Sequence, residues 1–203
     1  MSEPLLLIGC GGHASSLIDV VESSCRWHVL GLVGLPEQVG ENVLGYPVLG
    51  CDQDLPSLRQ QCDHALLAVG QIGLAAQRQR LGDELKRLEF GLPVVISGRA
   101  HVSRHAQLGS GTSVGHGAIV NAGACVGDHC ILNSNALIEH DAVIGDYCHI
   151  STGALVNGGT RIGASSFIGS GAVLREALNL PPQTVISAGK RVMGWPMREE
   201  RAQ

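Results

Sequence analysis

The sequence predicts an α/β, Rossmann-like N-terminal domain followed by a left-handed parallel β-helix. Three observations lead there. From His101 the chain parses into gapless six-residue units, each with an aliphatic residue second and a small residue sixth. Before that point short apolar runs alternate with helix-period segments, the pattern of a parallel sheet with crossover helices. Glycine accounts for 28 of the 203 residues and aromatic side chains for only 3%, which suits tight repeated turns better than a bulky helical core.

Twelve consecutive hexads run from HVSRHA at His101 to FIGSGA at Phe167. Their second positions include Val102, Val114, Leu132, Ile150 and Ile168, and their sixth positions include Ala106, Ala118, Cys130, Cys148 and Ala172. A period of six matches neither the 3.6 of a helix nor the alternation of a simple strand. Each hexad is a short strand plus a turn, and three of them make one triangular coil. The aliphatic side chain points into the prism and stacks on its counterpart in the next coil, while the small residue fits the bend. Twelve hexads make four coils. Arg175 to Gln183, with Pro181-Pro182, is expected to interrupt the repeat as a protruding loop. Val185 to Ala188 resumes it, Met193-Gly194-Trp195-Pro196 closes it, and the polar tail beyond reads as a short helix or frayed end.

In the first part, Leu5 to Ile8, His28 to Val33, His64 to Val69 and Val94 to Ile96 read as strands. Ser15 to Glu22, Asp54 to Gln61 and Ala75 to Glu89 read as helices. The expected domains are residues 1–96 and 97–203. Gly9, Gly11 and Ala14 satisfy G-x-G-x-x-G/A between a strand and a helix, where glycines let a phosphate approach the helix N-terminus. A bare βα turn accounts for the same residues. The second strand runs into Gly34-Leu35 instead of an acidic residue, which argues against a nicotinamide-dependent dehydrogenase.

The bulk properties exclude several classes. With 44% hydrophobic and 16% charged residues the chain can bury a core. A formal net charge of −4 and few aromatic platforms argue against nucleic acid as a partner. No segment has the ~20 apolar residues of a membrane span, and the N-terminus lacks a basic region before its short apolar run, so a cytoplasmic protein is expected. The seven cysteines are then read as reduced thiols.

His140 takes the fourth position of its hexad, close to a turn and away from the inward slot, between Glu139 and Asp141. A carboxylate there can hold one ring nitrogen and leave the other as a base. The prism also holds His105, His116, His129 and His149. A zinc site shared between chains, of the kind used by β-helix carbonic anhydrases, stands as the alternative, although the spacing shows no compact ligand cluster and no metal is expected. A non-enzymatic trimeric scaffold is the third reading.

The GCGGH turn at Gly9, the small Rossmann-like domain and the segment NSNALIEHDAVIGDYCHISTGALVNGGTRIG within the β-helix resemble one family along essentially the whole chain. It is the bacterial hexapeptide-repeat sugar acetyltransferases of the sialic-acid O-acetyltransferase type, which includes the N-acetyltransferases acting on UDP-4-amino sugars in bacillosamine synthesis. The resemblance implies a homotrimer with acetyl-CoA as co-substrate in the cleft between neighbouring prisms. It implies His140 as general base, Asp141 as the residue that raises its basicity, and His149 as a contact to acetyl-CoA. Backbone around Gly158, Ser170 and Ala188 would line the coenzyme cleft. Lys190 and Arg191, which follow the last hexad, are within reach of coenzyme phosphates by their position, and a solvated basic pair accounts for them equally well. Gly11, Gly12, His13 and Gly70 would hold the nucleotide of a sugar substrate. Members that bind UDP-sugars often carry paired aspartates where this chain has Gly34-Leu35. The reading is acetyl transfer to an amino sugar, with O-acetylation of a sialic-acid-like sugar as the alternative, since both acceptors need the same base and thioester.

Overall fold

The structure is a computed structural model and describes residues 2–196. The N-terminal domain runs β1 (Glu3–Ile8), α1 (Gly12–Ser23), β2 (Trp27–Gly34), β3 (Asn42–Val43), β4 (Tyr46–Cys51), α2 (Leu55–Leu58), β5 (Ala65–Leu67) and α3 (Ala76–Arg87). The sheet order is β3-β4-β2-β1-β5; β1 is parallel to both β2 and β5, β2 is parallel to β4, and only β3 runs antiparallel, to β4. Both faces are covered, which is why β1 is a continuous apolar run. Leu5 and Leu7 pack under Leu17, Ile18 and Val21 of α1. Leu6 and Ile8 pack under Leu55, Leu58, Leu81 and Leu85 of α2 and α3.

The strand β4 escaped the sequence reading because Pro47 and Gly50 look like turn residues. Pro47 is tolerated where β4 meets the short edge strand β3. Gly31 is required on the neighbouring strand: a Cβ there would lie 2.5 Å from Leu49 Cδ1.

The second domain is a prism of two-residue strands from Val95–Ile96 to Arg191–Val192, arranged in three parallel sheets of six, five and six strands. The second position of each hexad points inward; Val114, Val120, Ile138, Ile150, Ile168 and Ile186 are all fully buried. Cys130 and Cys148 fill sixth-position slots as free, buried thiols, donating to the Gly145 and Gly163 carbonyls at 3.2 and 3.3 Å. At the fifth position the chain turns through positive φ, taken by glycine in many coils but by His129, Asn135, Asp141, Tyr147 and Ser165 in others.

The expected interruption does not occur. Asn179–Leu180 is a regular prism strand, Leu180 occupies the inward slot, and Leu178 and Thr184 fill the sixth positions. The prolines are accommodated for a simple reason. In earlier coils the third-position N–H bonds to the next coil, as Gly163 N does to Leu180 O at 2.9 Å. Among the described residues Asn179–Leu180 is the edge of its sheet, so Pro181 has no ladder bond to forfeit. The tail after Pro196, expected to be helical or frayed, lies outside the described residues.

First-position side chains point out of the prism, and their fate depends on the face. His101, Gln107 and Arg161 are exposed, whereas Ser113, Ile131 and His149, stacked on a single face, are buried because the α/β domain sits on it. Helix α3 grips one corner of that face. Arg78 Nη2 donates to the His129 carbonyl, Gln79 Nε2 donates to Ser165 Oγ at 2.9 Å, and Gly82 lies against the Tyr147 hydroxyl. At the opposite corner His116 bridges Asp19 of α1 at 2.8 Å and Ser97 of the first coil.

Ile168 stacks between Ile150 and Ile186 on the prism axis with no exposed surface. Ile168→Ala is expected to cost about 2–5 kcal/mol, read as a lowered urea midpoint with an unchanged m-value.

Candidate active site

The C-terminal ends of β1, β2, β4 and β5 open into a cleft of about 910 Å³, closed on one side by Asn133 and His149 of the prism. This is where an open parallel sheet binds ligands, because the strand ends diverge and a helix N-terminus points into the gap. Gly11 is the N-cap of α1 and Gly12 its first residue; a Cβ on either would meet nothing within 4 Å, so the helix end faces open space. At Gly9, by contrast, φ is +122° and a Cβ would lie 2.9 Å from the Ala68 and Val69 backbone, so this glycine serves the tight turn itself. His13 and Gly70 complete the group, a Cβ on Gly70 falling 3.4 Å from His13 Cβ. Gly11, Gly12, His13 and Gly70 are thus brought together on one wall.

His149 joins them from the prism. Its Nδ1 lies 2.8 Å from the carbonyl oxygen of Gln71, which fixes Nδ1 as the protonated nitrogen and leaves Nε2 as a lone pair, 3.4 Å from Asn133 Nδ2. The Gln71 side chain is held in turn by Arg78 Nη1 at 2.9 Å. Burial, reinforced by the Arg78 charge, pushes His149 down to about 4, so its ring is neutral at physiological pH. His13, with its ring centroid 6.4 Å from that of His149, is pushed down to about 3 by burial and by the neighbouring His149 and Arg78. Its Nε2 is buried and has no hydrogen-bond partner among the described residues. Gln71, Arg78 and Asn133 had no sequence signature, although the position of Gln71 just beyond a strand end is the usual place for ligand contacts.

His140 sits elsewhere. It lies on a prism corner after a different face and does not line this chain's cleft. Its Nδ1 is 2.9 Å from Asp141 Oδ2, and both side chains are exposed, at 67% and 72%. Asp141 adopts φ +59°, a left-handed turn that sets its carboxylate beside the histidine immediately before it. The Asp141 hydrogen bond raises the His140 pKa above its ordinary value, with the charges of Asp141 and Glu139 adding to the effect. Glu139 is itself held by Asn121 Nδ2 at 2.9 Å. Gly158, the fourth-position residue of the next coil, lies under the ring: a Cβ there would come within 2.7 Å of His140 Cε1 and Nε2. Its N–H has no backbone acceptor among the described residues.

Ser170 and Ala188 stack in successive coils at a third location, the corner following the His149 face, where the Gly189 N–H bonds to Ser170 O at 2.8 Å. Ser170 Oγ lies 2.9 Å from Ser151 Oγ. Lys190 and Arg191 are exposed in the last coil. One chain therefore separates the residues expected to act together into a cleft and two corners. Among the described residues no three His, Cys, Asp or Glu side chains are grouped to hold a metal ion within the chain. No helix there is long and apolar enough to cross a membrane.

Residues 4–85 match the PglD N-terminal domain family, and residues 141–176 match the bacterial transferase hexapeptide family (six repeats). The perosamine N-acetyltransferase of Caulobacter crescentus is 33% identical over 94% of this chain and 89% of its own, with a TM-score of 0.87. The chain belongs to the bacterial hexapeptide-repeat sugar acetyltransferases. Solved forms of that Caulobacter enzyme contain CoA and GDP-perosamine, and two of them are variants at a histidine. The acetyltransferase domain of PglB from Neisseria gonorrhoeae, solved with acetyl coenzyme A, is 31% identical over 97% of this chain and 95% of its own, with a TM-score of 0.85. WeeI from Acinetobacter baumannii shares the fold at 21% identity over 97% of this chain and 99% of its own, with a TM-score of 0.65. A comparison with curated proteins finds no match. The left-handed β-helix and α/β domain of this sugar acetyltransferase are thus those of its family.

Asp141→Asn removes the carboxylate that favours the His140 imidazolium, so the ring is expected to titrate at lower pH in the variant. A pH series of imidazole NMR signals, with His140 assigned by its loss in His140→Ala, measures this; an unchanged midpoint would refute the pairing.

Proposed function

We propose that this protein transfers the acetyl group of acetyl-CoA to the amino group of a nucleotide-linked amino sugar, with His140 as general base. The observation that carries the reading is the His140–Asp141 pair laid against Gly158, on a fold whose relatives bind CoA together with a GDP-linked sugar. With Asp141 on Nδ1, Nε2 is the nitrogen available to take a proton from the acceptor amine. The amine nitrogen adds to the thioester carbonyl, the Gly158 N–H is a donor for the resulting oxyanion, and the C–S bond breaks as the imidazolium returns its proton to the thiolate of CoA. No covalent enzyme intermediate is required.

The cleft above α1 is the place for the nucleotide. The N-terminal N–H groups of α1, free of side chains at Gly11 and Gly12, suit the diphosphate. His13 Nε2, buried without a partner among the described residues, is open to a polar group of the ligand. His149 and Asn133 then face the sugar end. Because His140 does not line its own chain's cleft, the reading includes a homotrimer in which a second protomer's corner completes the site, with acetyl-CoA running between prisms past Gly158, Ser170 and Ala188. A cytoplasmic location agrees with a nucleotide-activated substrate.

The test is thiol release from acetyl-CoA against a panel of nucleotide-linked 4-amino sugars and of hydroxyl acceptors. Turnover is expected with an amino sugar, and His140→Ala should lower kcat by about 10²–10⁴-fold. Turnover confined to hydroxyl acceptors would overturn the choice of acceptor, and full activity of His140→Ala would overturn the base. The pH dependence follows from the raised His140 pKa: kcat/KM falls on the acid side as the ring protonates, and Asp141→Asn should move that limb to lower pH while lowering the plateau. Gly158→Ala should lower kcat at least tenfold with an unchanged melting temperature, since the new methyl displaces the His140 ring and leaves the prism interior alone.

A further inference from the structure

Among the described residues lining the cleft, Asp52 is the only carboxylate and Arg80 the only lysine or arginine. They form one ion pair, Arg80 Nη2 donating to Asp52 Oδ2 at 2.8 Å. Asp52 follows β4 and Arg80 belongs to α3, so the pair joins two elements that wall the same end of the cleft. That end is remote from the chemistry. If the diphosphate rests on the α1 N-terminus and the sugar turns toward His149 and Asn133, the base lies beyond the ends of β2 and β4, where Leu35, Pro36 and Asp52 line the wall.

The acceptor–donor pattern there is specific. Among the described residues Asp52 Oδ1 has no hydrogen-bond donor, and Arg80 is 60% exposed, with only its Nη2 engaged there. Gln38 contributes little as an acceptor, because its Oε1 already receives the Leu35 N–H at 2.9 Å and the Cys10 S–H at 3.0 Å. A carboxylate beside a guanidinium matches an edge with two adjacent donors and an acceptor, as guanine presents in its N1–H, its exocyclic amine and its O6. Uracil offers one donor between two acceptors, one of which would face the carboxylate. Adenine offers an acceptor in place of N1–H. The exposed Leu35 and Pro36, standing where an acidic residue is absent, add an apolar wall for a ring.

We propose that Asp52, oriented by Arg80, selects a guanine nucleotide, so that the acceptor is a GDP-linked sugar. This rests on the cleft being the nucleotide site, as in the proposed function. Calorimetric titration of the full chain with GDP, IDP and UDP tests it, for the parent, Asp52→Asn and Asp52→Ala; the side chain is half exposed, so both variants should fold, checked by an unchanged melting temperature. GDP is expected to bind about tenfold or more tighter than UDP, and tighter than IDP, which lacks the exocyclic amine. Both variants should bring the three within about threefold. UDP binding as tightly as GDP in the parent would overturn guanine selection and leave the transferase reading intact. Equal weakening of all three in the variants would place Asp52 on the ribose or diphosphate and also overturn it. Failure of every nucleoside diphosphate to bind, with acetyl transfer to a free amino sugar, would remove the nucleotide reading altogether.

Discussion

The cleft exists because α3 is fastened to the prism, and the fastening centres on one buried cation. Arg78 is 2% exposed, donates to the His129 carbonyl and to Gln71 Oε1, and has no carboxylate in contact among the described residues. Burial alone pushes it down to about 10, still charged at neutral pH. A buried cation whose Nη1 and Nη2 have neutral acceptors, and whose Nε has none among the described residues, is costly; removing those acceptors would cost more, so the guanidinium ties the position of α3 to that of the prism turn. Through Gln71 the same side chain sets the loop after β5, whose carbonyl holds His149. The docking geometry and the chemistry of the cleft are therefore one network.

Strain is spent along the same corner. The prism turns its fifth positions through positive φ, where glycine costs least. The α3 corner carries His129, Tyr147 and Ser165 there instead, with the His129 and Tyr147 rings stacked 4.8 Å apart under the helix. Both His129 ring nitrogens and the Tyr147 hydroxyl are buried without partners among the described residues. Burial lowers His129 to about 4 and raises Tyr147 to about 12, so neither adds a charge to the junction at neutral pH. Packing of two rings against α3 offsets the backbone strain. Asp141 adopts the same conformation on an exposed corner and serves to place a carboxylate beside His140.

The two histidines singled out for function are tuned in opposite directions by the same fold. His149 is covered by the α/β domain, near a positive charge, and stays neutral with a fixed tautomer. His140 is in water beside two carboxylates, and its charged form is favoured. One is suited to accept a hydrogen bond from a ligand in a dry site, the other to take up and return a proton.

The hexad repeat was legible from sequence because each inward aliphatic residue is a local requirement of the coil, repeated until chance is no explanation. The short sheet of the first domain was legible for the same reason, in the alternation of apolar strands and amphipathic helices. The break assigned to Pro181-Pro182 failed because proline forbids a ladder bond only where another coil follows, and sheet position is a tertiary fact. Strand β4 was hidden because Pro47 is tolerated beside the short edge strand β3 and Gly50 makes room for Asp54, which sequence spacing cannot reveal. His140 stood out as a histidine between two carboxylates away from the inward slot, and the repeat sets Gly158 one coil further on; the roles given to His140, Asp141 and Gly158 came from the family resemblance. What only the tertiary structure decided is which of three equivalent prism faces is covered. That choice buries His149 beside Gln71, Arg78 and His13, residues distant in sequence, whose properties arise from burial and from one shared charge.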